Sequence, residues 1–333
     1  MPESVTAAFS EPEDFESALR SEGIRSLLVT TGGRFRARLT RVSLNDISLS
    51  AAEEKLPRIS FVAVPANTLL VSFATGTGAA PSWGGVGLRS GELITGFAGE
   101  QFHARIGGPS RWGAIRLPID HLLEYGAALT GKALPLAPGL RRWRPPASAG
   151  RDLRGFHAAA MRIAETRPQD LLDREAAHGL EQQLFHAVAE CLAEGRADGD
   201  ARTARQNQAV MVGFETLLGT APGTKRSMSS ICAALDVSER RLRGLCAAHL
   251  GMSPTAYERL QRMWRTRRGL RTADRAESVS AIARLNGFHD MGRFAINYRA
   301  AFGESPSATL RRSRETAAIG SSIATLKVPG EYV

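Results

Sequence analysis

Cysteine is scarce in this 333-residue chain, which holds only Cys191, Cys232 and Cys246. An odd number at wide spacing makes neither a disulfide framework nor a CxxC metal clamp, so the thiols read as small buried apolar residues in a reducing compartment. None precedes Cys191, and a methyl-accepting repair enzyme would need a reactive thiol in that first half. His103 and His121 are too isolated for a metal triad, and no paired metal ligands appear. Long apolar runs are missing too: none approaches the roughly 18 residues of a membrane span. The opening stretch, with Glu3, Glu11, Glu13, Asp14 and Glu16, lacks the basic start and greasy middle of a secretion signal. The glycines near Gly76 and Gly78 form neither a phosphate loop nor a dinucleotide fingerprint, and there is no GxSxG elbow. The expectation is a cytoplasmic protein that is not an enzyme and carries no cofactor.

What the chain does have is charge, unevenly placed. Its net charge is +10. Met1 to Ala221 holds 24 basic and 24 acidic residues, whereas Pro222 to Arg314 holds 18 basic against 7 acidic. A neutral region beside a strongly basic one is the footprint of a polyanion binder.

The pattern of apolar residues divides the chain the same way. Phe35, Ala37 and Leu39 alternate with Arg36, Arg38 and Thr40, and short apolar runs recur up to Leu117 between glycine-rich turns. Many short strands of this kind predict a β-rich domain over 1–140, a barrel or sandwich. Leu134 to Gly150, with Pro135, Pro138, Pro145 and Pro146, reads as a connecting segment. Helical periodicity then predicts a helical linker over 151–200, with Leu180, Leu184, Val188 and Cys191 forming a stripe suited to dimer formation. A helix over Gln206 to Leu218 opens an all-α domain spanning 205–313, and 314–333 is a tail.

Inside that domain the sequence repeats itself. Ile231, Cys232, Asp236, Val237, Leu242, Cys246, Gly251, Ser253 and Pro254 return as Ile282, Ala283, Gly287, Phe288, Phe294, Tyr298, Gly303, Ser305 and Pro306. The offset is 51 residues up to Val237 and 52 afterwards, so one residue has entered the second turn. Each copy meets the needs of a helix-turn-helix. A small residue (Cys232, Ala283) allows a close crossing. A left-handed turn falls at Asp236 or at Asn286-Gly287, and an N-cap acceptor, Ser238 or Asp290, opens the second helix. The units lie at about 228–249 and 279–302.

The stretches ICAALDVSERRLRGLCAAHLGMSPTAY and SVSAIARLNGFHDMGRFAINYRAAFGESPSA resemble the DNA-binding domain of the AraC/XylS transcription regulators over about a hundred residues. The resemblance implies seven helices, with Pro254 to Leu270 joining the two readers, preceded by a cupin-like regulatory β-barrel. The fold class expected is therefore α+β and multidomain: a cupin-like barrel, a helical linker and an all-α domain with two helix-turn-helix units.

Opposite the inner stripe at Leu242, a turn of 100° per residue exposes Arg240, Arg243, Gly244 and Ala247, with Arg241 on the flank. The family's base-reading positions fall on Arg240, Arg243 and Gly244; glycine departs there from an expected polar residue. In the second helix Gly292, Ala295, Ile296 and Arg299 face outward beside Arg293. Ile296 stands where the resemblance implies a polar or basic side chain, and it suits a thymine methyl. Arg293, Arg299, Arg311 and Arg312 suit phosphate. The partners implied are double-stranded DNA, a second copy of the chain, a small organic effector and, for an activator, RNA polymerase. Phe61, Trp83, Phe102 and Trp112 are candidates for an effector pocket, against the plainer reading as core. Rival readings are a non-specific architectural DNA binder and an enzyme tethered to a DNA-binding domain.

Overall fold

The computed structural model describes residues 3–131, 133–198, 201–220, 226–274 and 276–325. By packing, the chain divides into two compact units. One gathers Met1–Val29, Phe35–Gly213 and Arg240–Ser253; the other gathers Thr30–Arg34, Phe214–Glu239 and Pro254–Val333.

The first unit is built on strands β1 (Glu3–Phe9), β2 (Ile24–Val29), β3 (Ala37–Ser43), β4 (Ser48–Glu54), β5 (Arg58–Ala63), β6 (Thr68–Ala74), β7 (Ser82–Trp83), β8 (Val86–Gly87), β9 (Leu93–Gly96), β10 (Gln101–Ile106), β11 (Ser110–Pro118), β12 (Arg141–Arg144) and β13 (Arg196–Asp198). They form two sheets, ordered β1-β3-β4-β11-β6-β9-β12-β13 and β2-β5-β10-β7-β8. Among the described residues neither sheet closes on itself. The pairs assigned between neighbouring strands are antiparallel, as short hairpin connections dictate; Gly113 of β11, for instance, lies opposite Ala51 of β4 and Phe73 of β6.

Helices α1 (Pro12–Ala18), α2 (Ile119–Thr130), α3 (Ala147–Thr166) and α4 (Arg174–Ala193) belong to the same unit. Their apolar faces complete one core with the larger sheet: Val42, Leu49, Val71, Phe73 and Ile115 from strands meet Leu153, Ala160, Leu184, Val188 and Cys191 from α3 and α4. This corrects the dimer motive. Leu184, Val188 and Cys191 are 0–1% exposed, and burying such a stripe inside its own chain gains roughly 25 cal/mol per Å² without the entropic cost of association. Only Leu180 of the four remains partly accessible at the edge of this core.

The proline-rich connector is also more structured than its composition predicts. Between Pro138 and Pro145 there is room for a four-residue strand, β12, which pairs with β9 on one side and β13 on the other. Trp143 anchors it, fully buried, its Nε1 donating to Thr95 Oγ1 at 2.9 Å. Arg144 is held by Glu92 and Asp198, each at 2.9 Å. Helix α3 begins at Ala147, directly after Pro146, because a proline is tolerated where no helical amide bond is yet required. Buried beneath α3, His157 lies 3.0 Å from the Ser50 carbonyl, and burial pushes its pKa down to about 4.

The remaining helices are α5 (Ala201–Thr220), α6 (Met228–Ala234), α7 (Glu239–Leu250), α8 (Pro254–Thr272), α9 (Val279–Leu285), α10 (Met291–Phe302) and α11 (Pro306–Thr325). Helix α7 is grouped with the first unit and the C-terminal helices α8 to α11 with the second. No described helix is long and apolar enough to cross a membrane.

Candidate nucleic-acid interface

The two repeats carry the same local bonds at the same spacing. Ser227 caps α6 by accepting from the Ser230 amide at 3.1 Å; Ser278, 51 residues on, caps α9 by accepting from Ala281 at 3.2 Å. The turn is closed in each copy by an equivalent backbone bond, Val237 to the Cys232 carbonyl and Phe288 to the Ala283 carbonyl, at 3.1 and 3.0 Å. Left-handed backbone occurs once in each turn, at Asp236 (φ 51°) and at Gly287 (φ 76°). Asn286 stays at φ −95° and instead donates its side-chain amide to the Ile282 carbonyl. Asp290 caps α10, accepting from the Arg293 amide at 2.9 Å.

In the second copy, Ile282 and Ala283 of α9 pack with Phe294 and Tyr298 of α10 against Met263 and Leu270 of α8 and Leu310 of α11. Ring contacts run along α10 from Phe294 to Tyr298 to Phe302, at 5.6 and 4.6 Å between centroids. The Tyr298 hydroxyl, buried, meets Thr309 Oγ1 at 2.9 Å, so the ring's polar end is satisfied. With this face committed to packing, α10 turns Gly292, Arg293, Ala295, Ile296 and Arg299 to solvent. Ile296 is 72% exposed, the most exposed large apolar side chain among the described residues.

Helix α7 sorts its side chains in the same way. Leu242, Leu245, Cys246, His249 and Leu250 are buried, while Arg240, Arg241, Arg243, Gly244 and Ala247 are exposed. Burial pushes the Cys246 thiol up to about 12 and, with His103 as a lesser cause, pushes His249 down to about 4. A Cβ placed on Gly244 would meet nothing within 4 Å, so the backbone there is open to close approach.

One feature of the basic segment is invisible in its charge count: several of its arginines are spent inside the unit. Arg262 of α8 donates Nε to the Asn286 carbonyl at 2.8 Å and a terminal nitrogen to the Gly287 carbonyl, and lies 4.8 Å from the Phe288 ring. Arg265 reaches the Leu218 carbonyl and Gln261 Oε1, both at 2.7 Å. Arg267 pairs with Glu304 at 2.7 Å over the Phe302 ring, and Arg312 shares the same carboxylate at 2.8 Å. A single sequence carries no signal for these bonds, because an inward arginine and an outward one are written alike.

In the first unit, Trp83 and Trp112 of the four aromatic candidates line a cavity between the sheets. Phe102 stacks on Trp83 at 4.9 Å, and Phe61 lies 5.1 Å from the His103 ring.

Two copies of one capped turn, each followed by a helix with a buried stripe and an exposed face, have the local form of a helix-turn-helix. Residues 231–312 match the family model of a helix-turn-helix domain. Among curated proteins, the XylDLEGF operon transcriptional activator of Pseudomonas putida is 37% identical over 93 residues, covering 28% of this chain and 29% of that protein. A probable thc operon regulatory protein of Rhodococcus erythropolis is 37% identical over 86 residues, 26% of each chain. The C-terminal segment of this chain thus carries a helix-turn-helix domain, similar to the matched parts of these operon regulators. The match spans less than a third of the length of these relatives. The solved structure of the AraC-like transcriptional activator CuxR is similar over 78% of this chain and 94% of that one, at 14% identity and a TM-score of 0.42.

Proposed function

We propose that the chain is a sequence-specific DNA-binding transcription regulator, in which a β-rich domain over 1–140 governs a DNA-binding domain over 205–313 in response to a small organic effector. The observation that carries the reading is the division of α7 into a buried apolar stripe and an exposed face bearing Arg240 and Arg243, the arrangement in which arginine can donate twice to guanine O6 and N7 in a major groove. Arg240, Arg243 and the open backbone at Gly244 are the base readers, with Arg241 beside them. On α10, Ile296 meets a thymine methyl across the smooth surface of Gly292 and Ala295, and Arg293 and Arg299 hold phosphates. Base discrimination therefore concentrates in the segment read by α7. Helix α8, 19 residues long, spans about 28 Å at roughly 1.5 Å per residue, a length suited to joining readers set one DNA turn apart.

The test is the ratio of site-specific to random DNA affinity after binding-site selection at fixed salt. A regulator gives a ratio of roughly 10³ or more, with two protected segments one turn apart. A ratio near one would replace this reading with that of an architectural DNA binder.

A further inference from the structure

We propose that the outer edge of β1 is the surface through which two copies of this chain pair, one β1 lying antiparallel to the other so that the larger sheets of both copies join. The two sheets of the first unit have four ends, and three of them are protected against such pairing. β13 is three residues long and ends in Asp198, which Arg142 and Arg144 engage. β8 is two residues long. β2 is bulged between Ile24 and Ser26, and Glu16 of α1 accepts from its Leu27 amide at 2.8 Å. Short strands, charges, bulges and covering side chains are the means by which proteins blunt sheet edges.

β1 has none of these. It runs for seven residues, Glu3–Phe9, about 23 Å at roughly 3.3 Å each. Each residue faces one of β3, from Glu3 opposite Ser43 to Phe9 opposite Ala37, without a break in register. The strand holds no lysine, arginine or proline. Among the described residues it pairs with β3 alone. Alternate residues of an edge strand turn both N–H and C=O away from the neighbour, so roughly six to eight backbone groups of β1 are left to water. The strand is also held in place: Thr6 Oγ1 donates to Thr40 Oγ1 at 3.2 Å, Thr40 donates to Glu165 of α3 at 2.8 Å, and the Phe9 ring stands 5.4 Å from Phe15. A template already fixed as an extended strand loses little backbone entropy when a second strand is laid on it.

The residues of β1 select a second copy as the occupant. Laid antiparallel about a twofold axis at Thr6, all seven pair: Glu3 with the partner's Phe9, Ser4 with the partner's Ala8, Val5 with the partner's Ala7, and Thr6 with the partner's Thr6. The strand carries one charge, Glu3 at its start. This arrangement sets the two carboxylates about 20 Å apart, beyond the roughly 8–10 Å range of charge interactions in ordinary salt, whereas a parallel one would set them side by side. Val5 is 44% exposed, and Leu172, 60% exposed, ends the turn Pro168–Leu172 that packs beside β1. Two exposed apolar side chains thus stand at this edge. A ladder of seven residues is at the small end of specific interfaces, which bury roughly 1,200–2,000 Å², so the expected affinity is micromolar. The surface is separate from the stripe on α4, which is spent in the core, and it stands whether or not the chain selects DNA sites.

Sedimentation equilibrium of the full chain, without DNA and at fixed salt, reads the pairing from about 1 to 100 µM. The expected result is a monomer–dimer equilibrium with a Kd of about 1–50 µM. Thr6→Lys and Thr6→Glu each set like charges face to face at the axis and should weaken the dimer at least about tenfold. An equal mixture of the two variants should restore it to within about threefold of the unaltered chain. Each variant also loses the bond to Thr40, which mixing does not return, so the rescue reports the pairing alone. Hydrogen exchange of the unaltered chain is the second measurement, and it decides the matter should either variant fail to fold by circular dichroism: amides within 3–9 should gain protection as the dimer forms, while those within 24–29 should not. A chain that stays monomeric at about 100 µM, species that grow beyond the dimer, a dimer that the variants leave intact, a mixture no tighter than either variant alone, or a dimer without added protection over 3–9 would each overturn the proposal.

Discussion

Arg262 offers the sharpest separation between an arginine that builds the reader and one that touches DNA. Its side chain is 17% exposed, it donates to the carbonyls of Asn286 and Gly287, and it lies 4.8 Å from the Phe288 ring. Hydrogen bonds from a charged donor are worth about 1.5–3 kcal/mol each and a cation–π contact about 1 kcal/mol at partly exposed sites. Because the three contacts share one group they do not add fully, so Arg262→Ala should lower unfolding stability by about 2–4 kcal/mol. Arg262→Lys, which keeps the charge and loses the planar fork, should recover less than half of that. The turn it braces sets the start of α10, so DNA affinity should fall as well. The discriminating quantity is the salt dependence of binding: a phosphate contact contributes about 0.9 to the slope of log affinity against log salt, whereas a brace contributes none. Urea denaturation together with affinities at four salt concentrations provides the assay. A slope reduced by about one in Arg262→Ala, or a stability change below about 0.5 kcal/mol, would refute the assignment.

Two further expectations follow from the same reasoning. Arg243→Ala should cost about 1–3 kcal/mol on the preferred site and relax preference at one or two base pairs, while Arg299→Ala should weaken all sequences alike and lower the salt slope by about one; selection from randomised DNA reads both. His157, buried and pushed down from 6.5 to about 4, is neutral in the folded state where the unfolded chain is protonated. Unfolding stability should therefore fall as pH drops from about 6.5 to about 4, His157 contributing up to roughly 3 kcal/mol of the loss; because His249 is lowered to about 4 as well, His157→Gln should reduce the loss by about that amount and not abolish it.

Local signals in the sequence located most of the second reader. Capping residues, the left-handed glycine and the spacing of Phe294 and Tyr298 are set by neighbours within one or two turns, so they can be read in order along the chain. The alternation near Ala37 foretold strands for the same reason. What the sequence left undecided depends on distant partners. The stripe on α4 was legible as apolar but not as belonging to the sheet that covers it. The strand at Arg141–Arg144 is stabilised by pairing with residues about fifty positions away on either side. Arg262 owes its role to what lies across a helix interface and stands in no local pattern.

The matched turns of the two repeats also bear on how such a protein can be rebuilt. In both copies the bond that closes the turn is complete by Val237 or Phe288, and the added residue of the second copy, His289, comes after it and before the Asp290 cap. The chain is thus seamed at that point: what lies upstream fixes the turn, and what lies downstream fixes the reading face. A hybrid reader spliced between Val237 and Ser238, or between Phe288 and His289, would inherit an intact closing bond from one parent and an intact outward face from the other. A splice two residues earlier would instead divide the turn itself, taking the amide of the closing bond from one parent and its carbonyl from the other.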